Sequence, residues 1–434
     1  MKGHLARVFL MGGLLVLSVA GLVFSDAPSQ VDWTGLRAVV LESDDWGLPG
    51  FVPAAGAWEG LDPSDLAPGR FPPVYWESTL EDSTMVADLC AVLASVRGRD
   101  GQPAVFQPNY VMGSLEPLSE SPEAQWRRLY YPELPTAYQR PGLQSAVANG
   151  QAAGVWYPEF HASLHYDPAL RLSAALDGDT ATRATRRGIM LFPGSEAARE
   201  LGPWRDAQDL GQELDLSMAA FVRAFGRPVG SIIAPDYTWT ARNEAIWESR
   251  GLTVIQAKRE QRNPELGAGL TGRLAKVWFR ALDRRRHAAR CYLERNCRLE
   301  PVQAPDPDQA VARCVADARQ AWERGQPAIV ETHRINFAHT DPAVVRTGQA
   351  ALAAFLAAIT RDGDPLPVFL TDTEVAQLAR RGISVSRRGA HLILRNGTRS
   401  AKVVSPVLGT PTEPTASAGA PTFLLLGPGQ TLIL

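Results

Sequence analysis

The sequence predicts an α/β protein whose core is a (β/α) barrel, irregular or seven-stranded, followed by a small β-rich segment. Two observations lead to this fold class. Short apolar runs rich in β-branched residues alternate with longer stretches of helical periodicity, which is the pattern of parallel β-α-β units. Several of the short runs also end directly in acidic or histidine residues. A parallel sheet carries its functional groups at the strand carboxyl ends in this way.

The apolar runs and the periodic stretches define the predicted elements in chain order. The predicted strands are 36–41, 104–107, 154–157, 229–234, 253–256, 328–331 and 367–370. The predicted helices are 79–96, 142–149, 210–225, 240–250, 307–324 and 343–360. Residues 47–78, rich in Pro and Gly, are expected to form an irregular loop over one face, and the basic stretch 258–300 is expected to be irregular.

Length and composition set the domain organisation. A chain of 434 residues exceeds the usual single-core limit of about 250–300 residues, so a large domain with an appendage is expected. The barrel is assigned to 30–380 and the β-rich segment to 381–434, where short alternating runs replace the helical pattern. Asn396-Gly397-Thr398 fits a glycosylation sequon, but Asn-Gly is also a common hairpin turn, and we prefer the turn.

The amino terminus has the features of a targeting segment. Lys2 and Arg7 precede an uncharged apolar run at 8–24, so residues 1–25 are interpreted as a signal peptide or an uncleaved N-terminal anchor. The protein is therefore expected to be exported, and to be secreted, periplasmic or envelope-anchored. Membrane contact is expected only through such an anchor. Because disulfides form in exported proteins, a bridge is expected within the cluster Cys291, Cys297 and Cys314.

The overall charge argues against one class of partner. The formal net charge is −2 and charged residues make up 21% of the chain. A nucleic-acid-binding protein usually carries a strongly basic patch. Nucleic acid is therefore not an expected partner.

Two adjacent acids begin the candidate site. Asp44 and Asp45 follow the first apolar strand directly. An isolated pair of this kind is most often a solvated turn or a helix cap, but burying carboxylates at the end of a core strand is costly without a compensating charge. Adjacent side chains on an extended backbone diverge, so one acid can hold a metal while the other acts on a water molecule.

Histidines follow two later strands. His161 and His165 have the H-x-x-x-H spacing, which brings two imidazoles toward one point. His333 ends another apolar strand, within Val-Glu-Thr-His-Arg. Taken singly, each histidine is as readily a core or surface residue. Their convergence with the acids at strand ends indicates a hydrolytic metal centre.

The order of these motifs resembles the polysaccharide deacetylases, carbohydrate esterase family 4. That order is Asp-Asp, H-x-x-x-H, an Ala-Pro-x-Tyr turn at 234–237 and a strand-end His, and the closing strand with Thr-Asp-Thr-Glu-Val at 371–375 also fits. Ser-Asp-Asp-Trp-Gly, Pro-Glu-Phe-His and Thr-His-Arg-Ile-Asn are similar to a divergent deacetylase-like branch. The resemblance covers roughly 36–378.

The resemblance implies a metal-dependent hydrolase that removes acetyl groups from N- or O-acetylated polysaccharide or oligosaccharide. Asp44 would be the base and His333 the catalytic acid, and the backbone amide of Tyr237 would stabilise the oxyanion. The implied cofactor is a divalent metal, usually Zn²⁺, and its ligands would be Asp45, His161 and His165.

The chain also departs from the family pattern. The family arginine that orients the catalytic Asp is absent from the turn at 234–237, and Arg334 or Arg259 is the expected replacement. The Asp that orients the acid histidine is missing near 255–261. Substrate contacts are expected from Arg334 and from three aromatic side chains, although aromatics beside strand ends are more often packing residues: Trp46, Tyr237 and Trp239.

Two other functions fit the sequence. A glycoside hydrolase on a related barrel would use two carboxylates on opposite sides of the scissile bond, which adjacent Asp44 and Asp45 cannot easily do. A catalytically silent carbohydrate-binding protein of the envelope is the alternative that the two missing motif residues motivate. Turnover of acetylated glycans separates a silent protein from a deacetylase.

Overall fold

The structure is a computed structural model that describes most of the chain. The described residues are 30–62, 72–117, 126–170, 178–190, 200–202, 205–258, 262–264, 289–361, 365–404, 406 and 423–434. The predicted signal or anchor segment, 1–25, and Arg259 lie outside them.

The described residues form strands and helices in alternation. The strands are β1 (Ala38–Trp46), β2 (Phe106–Val111), β3 (Gly113–Pro117), β4 (Trp126–Tyr130), β5 (Glu159–Ala162), β6 (Val254–Ala257), β7 (Cys291–Glu294), β8 (Cys297–Arg298), β9 (Ala328–His333), β10 (Val368–Phe369), β11 (Ile383–Arg388), β12 (His391–Asn396), β13 (Lys402–Val404), β14 (Leu424–Leu426) and β15 (Thr431–Ile433). The helices are α1 (Trp33–Leu36), α2 (Ser83–Ala94), α3 (Leu143–Ala152), α4 (Gly178–Arg186), α5 (Ala207–Phe225), α6 (Ala241–Glu248), α7 (Pro307–Glu323), α8 (Pro342–Ile359) and α9 (Asp372–Arg381).

A parallel sheet forms the centre of the protein. Its strand order is β5-β2-β1-β9-β8, and β10 pairs with the start of β1. Every pair in this sheet is parallel, so the strand carboxyl ends lie at one edge. The predicted α/β class with a parallel sheet is therefore confirmed.

The two faces of β1 have different surroundings. Val39 and Leu41 pack into the largest apolar cluster, which includes the surrounding helices. Ala38 and Val40 point to the opposite face and pack into a second cluster. Because side chains alternate along a strand, Glu42 and Asp44 lie on the same face as Ala38 and Val40. This face is thus apolar at the start of the strand and polar at its carboxyl end.

Parallel pairing continues beyond β5. Ile232 forms single bridges with Phe160 and Ile255, and β6 pairs with β7. The predicted strand 229–234 is wrong in extent, since only Ile232 has strand-type pairing there. The predicted strand 154–157 begins later, at Glu159, so that His161 lies inside a strand.

The stretch predicted to be irregular contains β7 and β8. These strands have only four and two residues. Arg295 and Asn296 lie between them and interrupt any alternation of apolar and polar residues. The Arg295 amide donates to the Ala257 carbonyl at 2.9 Å, and the Asn296 amide donates to the Ile329 carbonyl at 3.1 Å. This junction therefore bonds to β6 on one side and to β9 on the other.

The predicted helices are all present, with ends shifted by a few residues. Local capping accounts for several boundaries: Asp82 accepts the Met85 amide at the start of α2, and Thr371 and Glu374 form a capping box on α9. One described helix, α8, is long and apolar enough to cross a membrane, yet Leu352 is buried in the protein core.

The carboxyl-terminal segment is β-rich, as the sequence pattern predicts. Strands β11, β12 and β15 form one antiparallel sheet, and β13 pairs with β14. The hairpin turn between β11 and β12 is at Gly389, with a φ of 54°. The hairpin expected at Asn396-Gly397 is wrong because β12 pairs with β11 and β15 and not with β13, although the Asn396 side chain does accept the Thr398 amide at 2.9 Å. Asn396 is instead buried, and its side-chain amide donates to the carbonyl groups of Ser400 and Leu426.

Buried ion pairs join this β segment to the rest of the protein. Glu374 on α9 is fully buried and accepts from Arg388 of β11 and Arg395 of β12. Arg395 also donates to Asp100 at 2.8 Å. Burial raises the pKa of Glu374, but the two arginines outweigh it and hold that pKa at about 2.

The cysteines do not form the expected bridge. All four lie within the described residues and remain thiols. Cys297 and Cys314 are buried, and burial raises the pKa of each thiol. They belong to the main apolar cluster, where thiols pack as small apolar side chains.

Candidate metal centre

Asp44 and Asp45 lie at the carboxyl end of β1, where the backbone separates their side chains. Asp45 has a φ of 72°, a left-handed conformation that is uncommon for residues other than glycine. The register between β1 and β2 also shifts between Ser43 and Trp46, as in a β-bulge. The two carboxylates therefore face different partners.

Asp45 faces two histidines. Its Oδ1 atom lies 3.4 Å from Nε2 of His161 and 3.1 Å from Nε2 of His165. One potential ligand atom from each of the three residues lies within 4.8 Å of the others, so the group could hold a metal ion. His161 is delivered by β5, and His165 by the loop that follows it, with a φ of 69°.

The orientation of His161 fits a role as a metal ligand. Its Nδ1 atom lies 3.1 Å from the carbonyl oxygen of Ile233. A carbonyl can only accept, so Nδ1 donates to it, and Nε2 on the Asp45 side of the ring is the nitrogen placed to bind a metal. Two imidazoles and one carboxylate are the donor set of three-ligand zinc sites, in which a fourth position is left for water or substrate.

Charge coupling within this group is strong. Burial raises the pKa of Asp45, but the contacts with His161 and His165 outweigh it and hold that pKa well below its usual range. Burial lowers the pKa of His165, whereas the Asp45 carboxylate raises it by more. The Asp45 side chain is thus held as an anion beside both imidazoles.

Asp44 is held by a buried arginine that the sequence did not single out. Arg295 donates from Nη1 to Asp44 Oδ2 and from Nη2 to Asp44 Oδ1, both at 2.7 Å. Asn109 donates to Asp44 Oδ1 at 2.8 Å. Burial raises the pKa of Asp44, but Arg295 outweighs it and holds that pKa far below its usual range.

Arg295 belongs to a larger polar network inside the sheet. Its Nε donates to Glu42 at 2.5 Å, and its Nη2 atom to Gln256 at 2.8 Å. Gln256 donates to Ser231 at 2.9 Å, and Ser231 to Asp372 at 2.7 Å. The guanidinium is therefore fixed on all sides, which leaves Asp44 one well-defined orientation.

Arg334 does not take the place of the missing arginine. It is buried, and it donates to the Leu48 carbonyl and to Glu81. Glu81 also accepts the Gly47 amide at 3.0 Å. Arg334 therefore connects the loop after Asp45 to the segment after β9. The substrate contact expected of Arg334 is wrong, because its side chain is not accessible.

His333 faces Asp44 from the neighbouring strand. The register pairs Asp44 with His333, and Asp44 Oδ2 lies 3.8 Å from His333 Nε2. On the other side of the ring, Nδ1 lies 2.5 Å from Glu300 Oε1. Burial lowers the pKa of His333, but Glu300 and Asp44 outweigh it and raise that pKa to about 10.

Glu300 is the acidic partner that the sequence lacks near 255–261. It lies two residues after the end of β8, is buried, and also accepts from Asn336 at 2.7 Å. The one sequence signal that could have found it is its position just after a strand. That signal was hidden because β8 itself has two residues.

The Tyr237 hydroxyl belongs to the polar network around Arg295. The hydroxyl accepts from Arg295 at 2.7 Å and donates to Glu331 at 3.0 Å. Its backbone amide donates to the Ala234 carbonyl at 3.0 Å. The amide that the resemblance assigns to the oxyanion is thus bonded within its own turn, where Asp236 and Tyr237 both have positive φ.

The two tryptophans expected to contact substrate are core residues. Trp46 is fully buried, donates to Ser43 at 2.8 Å and packs edge-on against Trp156. Trp239 is also fully buried and donates to Glu244 at 2.7 Å. The substrate-binding assignment is wrong for both, because neither ring has an exposed face.

Fold and site together define an α/β protein with a candidate metal centre at the carboxyl edge of a parallel sheet. No protein family matches this sequence, and no curated protein matches it. Among solved structures it is similar to one from Mycobacterium smegmatis that is provisionally described as a polysaccharide deacetylase. The sequence identity is 13% and the TM-score 0.40, over 82% of this chain and 93% of that one.

Proposed function

We propose that this protein is a metal-dependent hydrolase that removes acetyl groups from N- or O-acetylated polysaccharide. One observation carries the proposal: adjacent Asp44 and Asp45 are divided between two separate sets of partners. Asp45 lies with His161 and His165, while Asp44 lies between Arg295 and His333. This division supplies a ligand group and an acid–base pair side by side.

The ligand group would be Asp45, His161 and His165, with Zn²⁺ as the expected ion. A divalent cation held there would lower the pKa of a water molecule and polarise the acyl carbonyl. The protein side chains supply orientation and proton transfer around that water.

Asp44 is the proposed base. Because Arg295 keeps its pKa low, Asp44 remains ionised across the neutral range. Its carboxylate accepts the proton of the water as the water oxygen bonds to the acyl carbon. The two bonds from Arg295 hold the carboxylate in one orientation, which a general base needs in order to meet its proton.

His333 is the proposed acid. Glu300 keeps the ring protonated near neutral pH, since the pKa of His333 is about 10. As the acyl carbon–nitrogen or carbon–oxygen bond breaks, His333 donates its Nε2 proton to the leaving amine or alcohol. Acetate and the deacetylated sugar are the products. The Tyr237 amide has no part in this scheme, because it is bonded to Ala234.

The two alternatives lose support from the same geometry. A glycoside hydrolase would need two carboxylates about 5–9 Å apart on either side of a sugar bond, whereas Asp44 and Asp45 are adjacent and engaged separately. The silent carbohydrate-binding protein was motivated by a missing arginine and a missing acid. Arg295 and Glu300 occupy those roles.

The proposal includes the architecture and location expected from the sequence. A closed barrel is supported by the β7–β8 junction, where the amides of Arg295 and Asn296 bond to β6 and β9. Export through the segment 1–25 is proposed from its charge and hydropathy pattern.

The test measures metal content and acetate release together. Asp44→Asn should retain the metal and lose about 10²–10⁴-fold in rate, the usual contribution of a positioned base. Asp45→Asn should lose both, because an amide is a poor ligand. Asp82→Asn is the matched control. Because asparagine also caps a helix, this variant should change neither the metal content nor the rate.

Acetate release is assayed on an N-acetylated and an O-acetylated oligosaccharide. Metal is measured by elemental analysis after dialysis against Zn²⁺. Wild-type protein that takes up no stoichiometric metal would overturn the proposal. Full activity of Asp44→Asn would overturn the assignment of the base.

A further inference from the structure

We infer that Glu200 is a positioning residue for the metal-ligand pair, acting through the backbone of the loop between His161 and His165. The inference rests on the proposed function. Glu200 is 1% exposed and lies thirty-five residues along the chain from His165. Its carboxylate makes no hydrogen bond to either imidazole. Its hydrogen bonds are to the loop backbone, and its charge also acts on the His165 ring.

The carboxylate of Glu200 binds three consecutive amides. Oε1 accepts from Ser163 at 2.8 Å and from Leu164 at 3.1 Å, and Oε2 accepts from His165 at 2.5 Å. These are charge-assisted bonds in a buried setting, the stronger class of hydrogen bond. A carboxylate is the side chain suited to this role, since three converging donors need an acceptor without protons.

The loop needs such a restraint because its backbone conformation is unfavourable. His165 has a φ of 69°, and this left-handed region is unfavourable for a residue other than glycine. That conformation turns the His165 ring back toward Asp45, with its Nε2 3.1 Å from Oδ1. A loop free to relax would carry His165 away from His161.

Glu200 is itself held by neighbouring helices. Arg205 donates to the Glu200 carbonyl at 3.2 Å and to Glu213 of α5 at 2.6 Å. Arg242 of α6 donates to the Arg205 carbonyl at 2.7 Å. The segment that delivers Glu200 is therefore anchored to two helices, which lets it act as a fixed support for the ligand loop.

The test compares Glu200→Ala and Glu200→Gln in the full chain. The first removes both acceptor oxygens and with them all three hydrogen bonds. The second keeps one oxygen and turns an amide group toward the remaining backbone donor. We expect Zn²⁺ affinity, measured by calorimetric titration, to fall about 10–100-fold in Glu200→Ala, as for other groups that orient metal ligands. The Zn²⁺ affinity of Glu200→Gln should lie between those of wild type and Glu200→Ala.

Amide hydrogen exchange is the readout that does not depend on metal. Without Zn²⁺, the amides of residues 163–165 should exchange faster in both variants than in wild type. Glu116→Gln is the matched control, because Glu116 also accepts a backbone amide, from Thr136. It should leave both the affinity and the exchange of residues 163–165 unchanged.

The outcomes separate the two proposals. If wild type binds no Zn²⁺, the proposed metal function fails. Unchanged amide exchange at residues 163–165 in both variants would independently refute the role of Glu200 in holding the loop. Faster exchange with Zn²⁺ affinity within twofold of wild type, on the order of the assay error, would make Glu200 purely structural and overturn the inference. Should Glu200→Ala not fold, Glu200→Gln decides by the same two measurements.

Discussion

Replacing Arg295 with Met is expected to shift the pH dependence of catalysis as well as destabilise the protein. The side chain is fully buried and donates five hydrogen bonds, two of them to Asp44. Methionine retains much of the volume but none of the donors. Asp44 would then lie buried without its cation, and Glu42, whose pKa burial raises well above the usual range, would lose its hydrogen-bond donor.

The expected loss of stability follows from that burial. Removing one partner of a buried ion pair costs about 3–5 kcal/mol. For the roughly 320 residues that the structure describes, an unfolding entropy of about 2 cal/mol/K per residue converts this to a fall of roughly 4–7 °C in Tm. Rate should fall by at most about 10²–10⁴-fold, the range for loss of a general base.

The acid limb of the pH–rate profile is the specific readout. Burial is the largest influence on Asp44 and raises its pKa, and in the wild type Arg295 overrides it. Without Arg295 the pKa of Asp44 rises, so the base becomes protonated at higher pH. The acid limb of kcat/KM should therefore move toward neutrality, which a general loss of packing would not produce.

Arg290→Met is the matched control. Arg290 is also buried, and pairs with Glu244 at 2.9 Å and Glu248 at 2.7 Å. This variant should lose similar stability and keep the wild-type acid limb. An acid limb in Arg295→Met that coincides with those of wild type and Arg290→Met would refute the role given to Arg295.

Two further predictions concern other buried charges. Glu300→Gln removes the anion that raises the pKa of His333 to about 10, so the alkaline limb of kcat/KM should move to lower pH; an unmoved limb would contradict the acid role of His333. A chain ending at Arg381 should be insoluble, or should be unfolded when measured by circular dichroism. The reason is that Glu374 would be buried without Arg395. A soluble, cooperatively melting product would instead show that the β segment is dispensable.

The residues proposed as metal ligands and as the acid–base pair could be found from the sequence because each lies at or near the carboxyl end of a strand. Asp44 and Asp45 end β1, His161 lies in β5 and His333 ends β9. Parallel strands bring such positions to one edge whatever their separation along the chain. The structure places all of them together with His165, as the strand pattern predicts.

The partners of these residues could not be predicted in the same way. Arg295 lies 251 residues from Asp44, in a stretch whose two short strands show no alternation. The sequence suggests Arg334 or Arg259 as the replacement. Both lie close in sequence to family motifs, Arg334 beside His333 and Arg259 within the stretch 255–261. Proximity along the chain is a poor guide here, since the contacts inside a parallel sheet are between strands far apart in sequence.

The division of the chain into 30–380 and 381–434 rests on a different kind of signal, a change in sequence pattern near Gly382. A composition break at Gly382 marks where helices end, but it says nothing about where charges pair. Glu374 lies on the helix before the break, and its two arginines lie on strands after it. Ion pairs across a boundary are visible only once the fold is known.

The burial of Asp44 nevertheless allows one inference about its partner. Asp44 at the end of a core strand cannot be ionised there without a nearby cation, so a cation must lie at the same edge of the sheet. Among the described residues, four cations lie in or next to strands at that edge: Lys258, Arg295, Arg298 and Arg334. Lys258 donates to Glu331 and is not bonded to Asp44. Of these, Arg298 is exposed and Arg334 is committed to Leu48 and Glu81. Arg295 alone combines burial with the two-pronged geometry that a carboxylate requires, and the chemistry of Asp44 depends on it.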